Sequence, residues 1–580
     1  MRVPRGCAKK LLAAALSVFL PLMAVLPCFA AAPDGALCFA VASDLHYNPA
    51  DAALEQTNDD PLYFYANRRC AMENESGFIL DAFLRQCAGN DAVRYVLISG
   101  DLADDGKFRP EDHRAVAEKL AAFERDSGKD VFVINGNHDA SMNPGDTSFD
   151  DFTKIYADFG YDKALSRGDD DCSYTADLGE NYRLIALDSC SRTKSTEDGM
   201  TIKKINWVLK AAAQAKKDGR QPVLMMHHNL LDHLPAQRVV SHDFIVRFHF
   251  STAALFADAG IRLALTGHEH CSDARSFTSP AGNTIFDFAT TSLSMYPLSY
   301  RIFTLTDGLI AYEAPEITSV DTAALSAGTA GYTEEQLRML QTDCNGFAKG
   351  FLKTGIRYRL SLSLSDEKLG IDPSAFYYPP VKTAVGGLLR LLQTPYAGEG
   401  GLMQAAARYN MTLPETAYET PWDLATDLAA AHYAGEEPHS PDTPAVRLLL
   451  KTAALLLRTD LAGVGDEVFL AAANRLLHRS GDEGIAASLS ALCFSVFGGV
   501  KPGEYFLAVL LYPLLYEFGF DGDGVSDNAG SVPGYGAQQS ENGRLQRFTV
   551  FAERFVLYLQ YIFKSVFSGI APAGGSVARL

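Results

Sequence analysis

Residues 94–106 read RYVLISGDLADDG, a short apolar run that passes through Gly100 straight into Asp101 and Asp104. An apolar stretch of strand length that ends in glycine and a carboxylate reads as a buried strand delivering a polar side chain at its carboxyl end. The same grammar recurs on either side of it. LCFAVAS leads to Asp44 and His46, DVFVING to Asn137 and His138, PVLMMHH to His227 and His228, and IRLALTG to His268 and His270. YRLIALD is a further run of this kind, and helix-like text with apolar residues at helical spacing lies between runs, as at Glu111–Arg125 and Ile202–Lys217. This alternation predicts an α/β domain whose strands are covered on both faces. The later runs TIFDFAT, YRIFTLT and LIAYEA follow one another with short turns, and are expected to be antiparallel strands completing a second sheet.

Active sites of α/β sheets gather at the carboxyl ends of strands, so these side chains are expected to converge from distant sequence positions. Carboxylates, imidazoles and one amide oxygen form a hard to borderline donor set. It suits a close pair of divalent or trivalent cations, with a carboxylate between them. Iron, manganese and zinc all fit such donors.

Taken together and in this order, SDLH, GDLADDG, GNHD, MMHH and GHEH resemble the calcineurin-like metallophosphoesterase superfamily. The resemblance implies a four-layer α/β/β/α sandwich. It implies that Asp44, His46 and His270 hold one metal and Asn137, His227 and His268 the other, with Asp101 bridging. His138 resembles the family's acid, which stabilises or protonates the leaving oxygen, oriented by Asp139. Asp104 is expected to orient a ligand or loop, and His228 to support its neighbour or face substrate. Two cations lower the pKa of a bridging water and polarise phosphoryl oxygens, so hydroxide attack needs no protein nucleophile. His113, His242 and His249 lie on helix-like text and are expected to serve surface or packing roles. His233 is expected not to touch substrate.

A narrower resemblance rests on FTKIYADFGYDKALS (152–166) and HHNLLDH (227–233), which are similar to bacterial exported phosphoesterases described as cyclic-nucleotide phosphodiesterases. It spans Phe39–Tyr300 and implies a small phosphodiester substrate, cyclic or another nucleotide. The alternatives are a phosphomonoesterase or nucleotidase, a sphingomyelinase-like phospholipid diesterase and, from another class, a non-catalytic surface interaction protein. An insertion after His46 carries Tyr63, Tyr65, Arg68 and Arg69, either a substrate wall or a solvated loop.

The chain has 580 residues, 47% hydrophobic and 21% charged, with a formal net charge of −19. Such acidity excludes a grip on nucleic-acid polymer, which needs clustered Lys and Arg. Arg2, Arg5, Lys9 and Lys10 precede an apolar run, Leu11–Leu26, and then small residues at Ala30–Ala32. That order is a secretory signal peptide, and the run falls short of the roughly 20 residues a spanning helix needs. The protein is therefore expected to be secreted or in the cell envelope after cleavage, without stable membrane insertion.

The expected organisation is a signal peptide over 1–32, a metallophosphoesterase domain over 33–318, an all-α C-terminal domain over 319–568 and a disordered tail over 569–580. Helical text includes Glu334–Thr354, Ala445–Leu461, Val468–His478, Glu504–Phe520 and Leu545–Phe567, whereas Asp521–Gly543 reads as a flexible loop. The cysteines show neither metal-ligand nor paired spacing, and Cys38 and Cys190 read as small buried hydrophobes. Partner proteins leave no sequence signal.

Overall fold

The computed structural model describes residues 36–48, 70–169, 172–192, 198–233, 237, 243–323, 332–363, 378–409, 411–438, 443–458 and 525–536. The expected signal peptide, the Tyr63–Arg69 stretch, His242, Cys493, the helical text beyond residue 458 and the expected tail lie outside them.

Two mixed sheets face each other. The first is built from β1 (Leu37–Ala42), β2 (Tyr95–Ile98) and β3 (Asp130–Val133), parallel neighbours in that order. The second contains β4 (Ser166–Arg167), β5 (Tyr174–Leu178), β6 (Tyr182–Leu187), β7 (Gln221–Met226), β8 (Leu263–Thr266), β9 (Asp273–Thr278) and β10 (Thr284–Ala289). Its centre, β6-β7-β8-β10, is parallel, with antiparallel strands at both margins.

The central strands β1, β2, β6, β7, β8 and β10 are mostly apolar because both of their faces are buried. Leu184, Val223, Met225, Leu263, Leu265, Phe286 and Phe288 join the core shared with Val41, Leu97 and Phe303 of the first sheet. Their alternates Ile185, Leu187, Leu224, Met226, Ala264 and Ile285 pack with Val208, Ala212, Phe256 and Ala257 of the Ile202–Lys217 and His249–Asp258 helices. Successive strand side chains point to opposite faces, so a single continuous apolar run fills two layers. The Ser76–Gly89 and Pro110–Ser127 helices cover the outer face of the first sheet through Ile79, Phe83, Val116 and Leu120. The result is helix, sheet, sheet, helix, as expected.

The late strands divide differently from the expectation. TIFDFAT is β10, parallel to β8 in the second sheet, whereas β11 (Arg301–Leu305) extends the first sheet antiparallel to β1, and β12 (Leu309–Glu313) adds to it antiparallel to β11. An apolar alternation states that a strand is covered, not which of two facing sheets it joins.

Beyond residue 333 the described chain is mainly helical, with helices at Glu334–Thr342, Cys344–Ser363, Tyr378–Gln393, Leu402–Arg408, Pro421–Ala434 and Pro444–Arg458. Capping boxes at Thr333 and Thr420 start two of them. Leu391, Leu402, Leu424, Leu428, Leu448 and Leu455 form a core for the last four of these helices, whereas Leu340, Phe347 and Leu352 of the first two join the core shared by the sheets. The expected Glu334–Thr354 helix is two helices, broken at Asp343. The expected loop at 521–543 contains β13 (Ala529–Pro533), which pairs antiparallel with β12 at the margin of the first sheet. Of its five residues only Val532 is buried, so backbone pairing with the open edge of β12, rather than any apolar pattern, makes it a strand. Among the described residues, seven cysteines, Cys38 and Cys190 included, are buried free thiols.

Candidate functional site

β1, β2 and β3 of one sheet and β7 and β8 of the other each lead into a short turn that carries a candidate side chain. The backbone turns sharply there. Asp44 (φ 51°), His46 (φ 41°), Asp101 (φ 50°), His268 (φ 68°) and His270 (φ 64°) all occupy the left-handed region. Each such residue costs about 1–3 kcal/mol and persists only where its surroundings over-determine it. Here Asp44 N donates to Gly100 O and His46 N to Asp101 O, both at 3.0 Å, and Gly267 N donates to His227 O at 2.9 Å. Gly267 must lack a side chain, since a Cβ there would lie 1.8 Å from Ser43 Oγ and 2.5 Å from Asp44 Oδ2.

The side chains converge. Asp44, His46 and His270 form one group, Asp101, His227 and His268 another, and His46, Asp104 and His138 a third, with donor atoms in each within 4.8 Å of one another. Asp44 Oδ1 lies 3.1 Å from His270 Nε2, which is 3.2 Å from His46 Nε2. His227 Nδ1 donates to the Ser99 carbonyl at 3.0 Å, which turns Nε2 toward Asn137 Oδ1 at 3.0 Å and Asp101 Oδ2 at 3.3 Å. Asp44 Oδ2 accepts from Ser43 Oγ at 2.5 Å and from His268 N at 2.9 Å.

Charge at the centre is arranged for a cation. Burial raises Asp44, but His270 and His227 bring it down to about 2. Burial also raises Asp101, and His227, His138 and His46 hold it well below the carboxylate range. Burial lowers His227, yet Asp101 and Asp44 carry it up to about 9, so the space between those carboxylates draws positive charge. Burial, with His228 and His227, keeps His268 well below the usual imidazole value, in the neutral form that ligates. Its Nε2 is buried without a hydrogen bond. Ionised carboxylates facing buried nitrogen lone pairs suit bound metal.

One expected role moves. Asp139 does not orient the His138 ring. Its oxygens accept from Leu102 N at 2.9 Å, Ala103 N at 3.2 Å and Gly136 N at 2.7 Å, tying the GDLAD turn to the GNHD turn. His138 Nδ1 instead donates to the Asp104 carbonyl at 2.8 Å, and the Asp104 carboxylate lies 3.1 Å from His46 Nδ1. His228 Nδ1 sits 2.9 Å from Ser189 Oγ. His233 is buried against Asp273 (2.9 Å) and Asp287 (3.1 Å), and His249 lies 3.7 Å from Asp232.

Several supports escaped the sequence. His113 is buried and bonds Tyr156 Oη at 3.0 Å and the Asp139 carbonyl at 2.9 Å, bracing the GNHD turn. Its place three residues before Val116, on the apolar face of its helix, was the available signal. Met295 Sδ lies 3.0 Å from His270 Nδ1, and Phe244 stacks on His268 with centroids 4.2 Å apart. No local pattern marks either.

Residues 38–272 match the family model described as calcineurin-like phosphoesterase, a span that holds every candidate ligand. Among solved structures, the chain is similar to a dimetal phosphatase from Danio rerio at 14% identity and a TM-score of 0.35, with 48% of this chain and 95% of that chain covered. It is also similar to a structure of PhoD at 11% identity and a TM-score of 0.29, with 48% of this chain and 65% of that one covered. No curated protein matches the chain.

Proposed function

We propose, from the membership of residues 38–272 in the calcineurin-like metallophosphoesterase superfamily, that this protein hydrolyses small phosphodiesters, cyclic or other nucleotides among them, outside the cytoplasm once residues 1–32 are removed. The observation that carries the chemistry is the meeting of Asp44–His46–His270 and Asp101–His227–His268 in one buried cluster. In this reading the first trio would hold one metal, and His227 and His268 with Asn137 and Asp101 would hold the other, with Asp101 the carboxylate shared between the two groups. When bound, the two ions supply Lewis acidity for the phosphoryl oxygens and acidify water at neutral pH.

The chain's own groups do the rest. The Ser99 carbonyl fixes the His227 tautomer so that Nε2 is the ligating atom. The Asp104 carboxylate, 3.1 Å from His46 Nδ1, holds that ring by charge. His138 keeps one proton on Nδ1 against the Asp104 carbonyl, so the proton it gives to the leaving oxygen departs from Nε2. The diester preference and export rest on the sequence resemblance and the N-terminal segment.

The test is hydrolysis of bis(p-nitrophenyl) phosphate against p-nitrophenyl phosphate by metal-loaded protein, followed by cyclic nucleotides, nucleoside monophosphates and phospholipid diesters. Faster turnover of the diester is expected. A preference for the monoester would sink the diesterase reading, and inertness toward both would sink the enzyme.

A further inference from the structure

We propose that the C-terminal region is a working part of the metal centre. The carboxyl end of the Pro421–Ala434 helix and the Asp527–Asn528 turn clamp the loop that carries His268 and His270, which makes Asp527 and Asn528 positioning residues for those ligands. This inference rests on the metal-site reading above.

The loop needs such a clamp. Two of three successive residues, His268 and His270, hold left-handed conformations that side-chain-bearing residues adopt only under constraint. On its near side the restraints come from the catalytic sheets, through Gly267 N to His227 O and His268 N to Asp44 Oδ2. On its far side they come from residues more than 150 positions away. Ser272 N donates to the Tyr433 carbonyl at 3.0 Å, and Ser272 Oγ donates to Asn528 Oδ1 at 2.7 Å. Ala274 N donates to Asp527 Oδ1 at 3.0 Å.

Asn528 closes the arrangement by donating from Nδ2 to the carbonyls of Ala434 (2.7 Å) and Gly435 (3.1 Å). Those carbonyls stand at the end of a helix, where carbonyls lack partners of their own. One amide therefore joins a helix terminus, a returning strand and the ligand loop. Arg301, 1% exposed, backs them by donating to Ser272 Oγ at 2.9 Å and to the Asp527 carbonyl. Approach is close enough that Gly435 (φ 63°) cannot carry a side chain, because a Cβ would lie 2.5 Å from Ser272 O and 2.7 Å from Asp527 Cβ. Bonds of this kind act on a metal through its ligands, and their loss elsewhere costs about 10–100-fold in metal affinity.

The experiment uses the full-length chain, stripped of metal and titrated with Mn²⁺ by calorimetry, with hydrogen exchange followed in the presence and absence of Mn²⁺. Asn528→Ala and Ser272→Ala are expected to weaken Mn²⁺ binding by about tenfold or more at both sites, since each takes one histidine from this loop. Lys119→Ala, which breaks a 2.7 Å contact to Asp81 between the Pro110–Ser127 and Ser76–Gly89 helices and touches no part of the clamp, is expected to leave Mn²⁺ affinity unchanged. In the wild type, Mn²⁺ is expected to slow exchange at 433–435 and 527–528 together with 267–272. Unchanged affinity in the folded variants overturns the clamp. Should neither variant fold, slowing at 267–272 without slowing at 433–435 and 527–528 overturns it. A wild type that takes up no Mn²⁺ defeats the metal-site reading first, and the clamp with it.

Discussion

Asp101 shows how much one carboxylate carries. Oδ1 accepts from His138 N at 2.7 Å and Oδ2 faces His227 Nε2 at 3.3 Å, in a site where burial alone would neutralise it. Asp101→Asn keeps the shape and removes the charge. Mn²⁺ affinity and turnover are expected to fall at least about 100-fold, beyond what indirect ligand supports cost, in a protein that still folds. Turnover near the wild-type rate would reject the bridging assignment. Asp104 and Asp139 separate along a different line. Asp104→Asn acts through His46 and is expected to cost about 10–100-fold in metal affinity. Asp139→Asn leaves one oxygen to serve three backbone donors, so a stability loss of about 1–3 kcal/mol is expected, read as a lower denaturant midpoint. The residue types at this centre were legible in the sequence because metal chemistry restricts them to few kinds. The left-handed backbone was not legible, since Asp and His carry no signature for it, and neither were contacts such as Met295, which depend on where a distant loop returns.

Strands were the most readable elements, because a run buried on both faces leaves little choice of residue. Ile185 and Leu187 look like Leu184 and Ala186 in the text yet serve opposite layers. What the runs could not carry was partnership. β10, β11 and β12 follow in sequence, but β10 goes to one sheet and the other two to its neighbour. β13 was invisible for the complementary reason that its pairing is almost wholly backbone. Joining elements is also the business of His233, which ties the loop after β7 to β9 through Asp273 and to β10 through Asp287. Burial lowers His233, but Asp287 and Asp273 outweigh it and lift it to about 10. An unfolded histidine titrates near 6.5, so the raised folded value gives stability fully present below about pH 6.5 and lost as pH climbs toward 10. His233→Gln is expected to destabilise the protein at pH 6 and to show a shallower stability loss between pH 6.5 and 10. Parallel wild-type and variant curves over that range would remove His233 from the account.

For the whole molecule, the formal charge of −19 sets a conflict that the site must resolve. A phosphodiester approaches as an anion and meets repulsion from the chain at long range, while the attraction proposed for it comes from cations buried at the strand ends. Range decides between them. The Debye length shrinks from about 30 Å at 0.01 M salt to about 8 Å at 0.15 M, which removes most of the distant repulsion and little of the attraction at contact. Raising salt over this interval is therefore expected to increase kcat/KM for bis(p-nitrophenyl) phosphate by a few-fold while kcat stays level, since association is screened and the bound complex is not. Steered association toward a positive mouth would give the opposite slope. A fall in kcat/KM with salt would mean that basic side chains, not the buried metals alone, draw the substrate in, and the candidates to test first would be Arg68 and Arg69 of the sequence insertion.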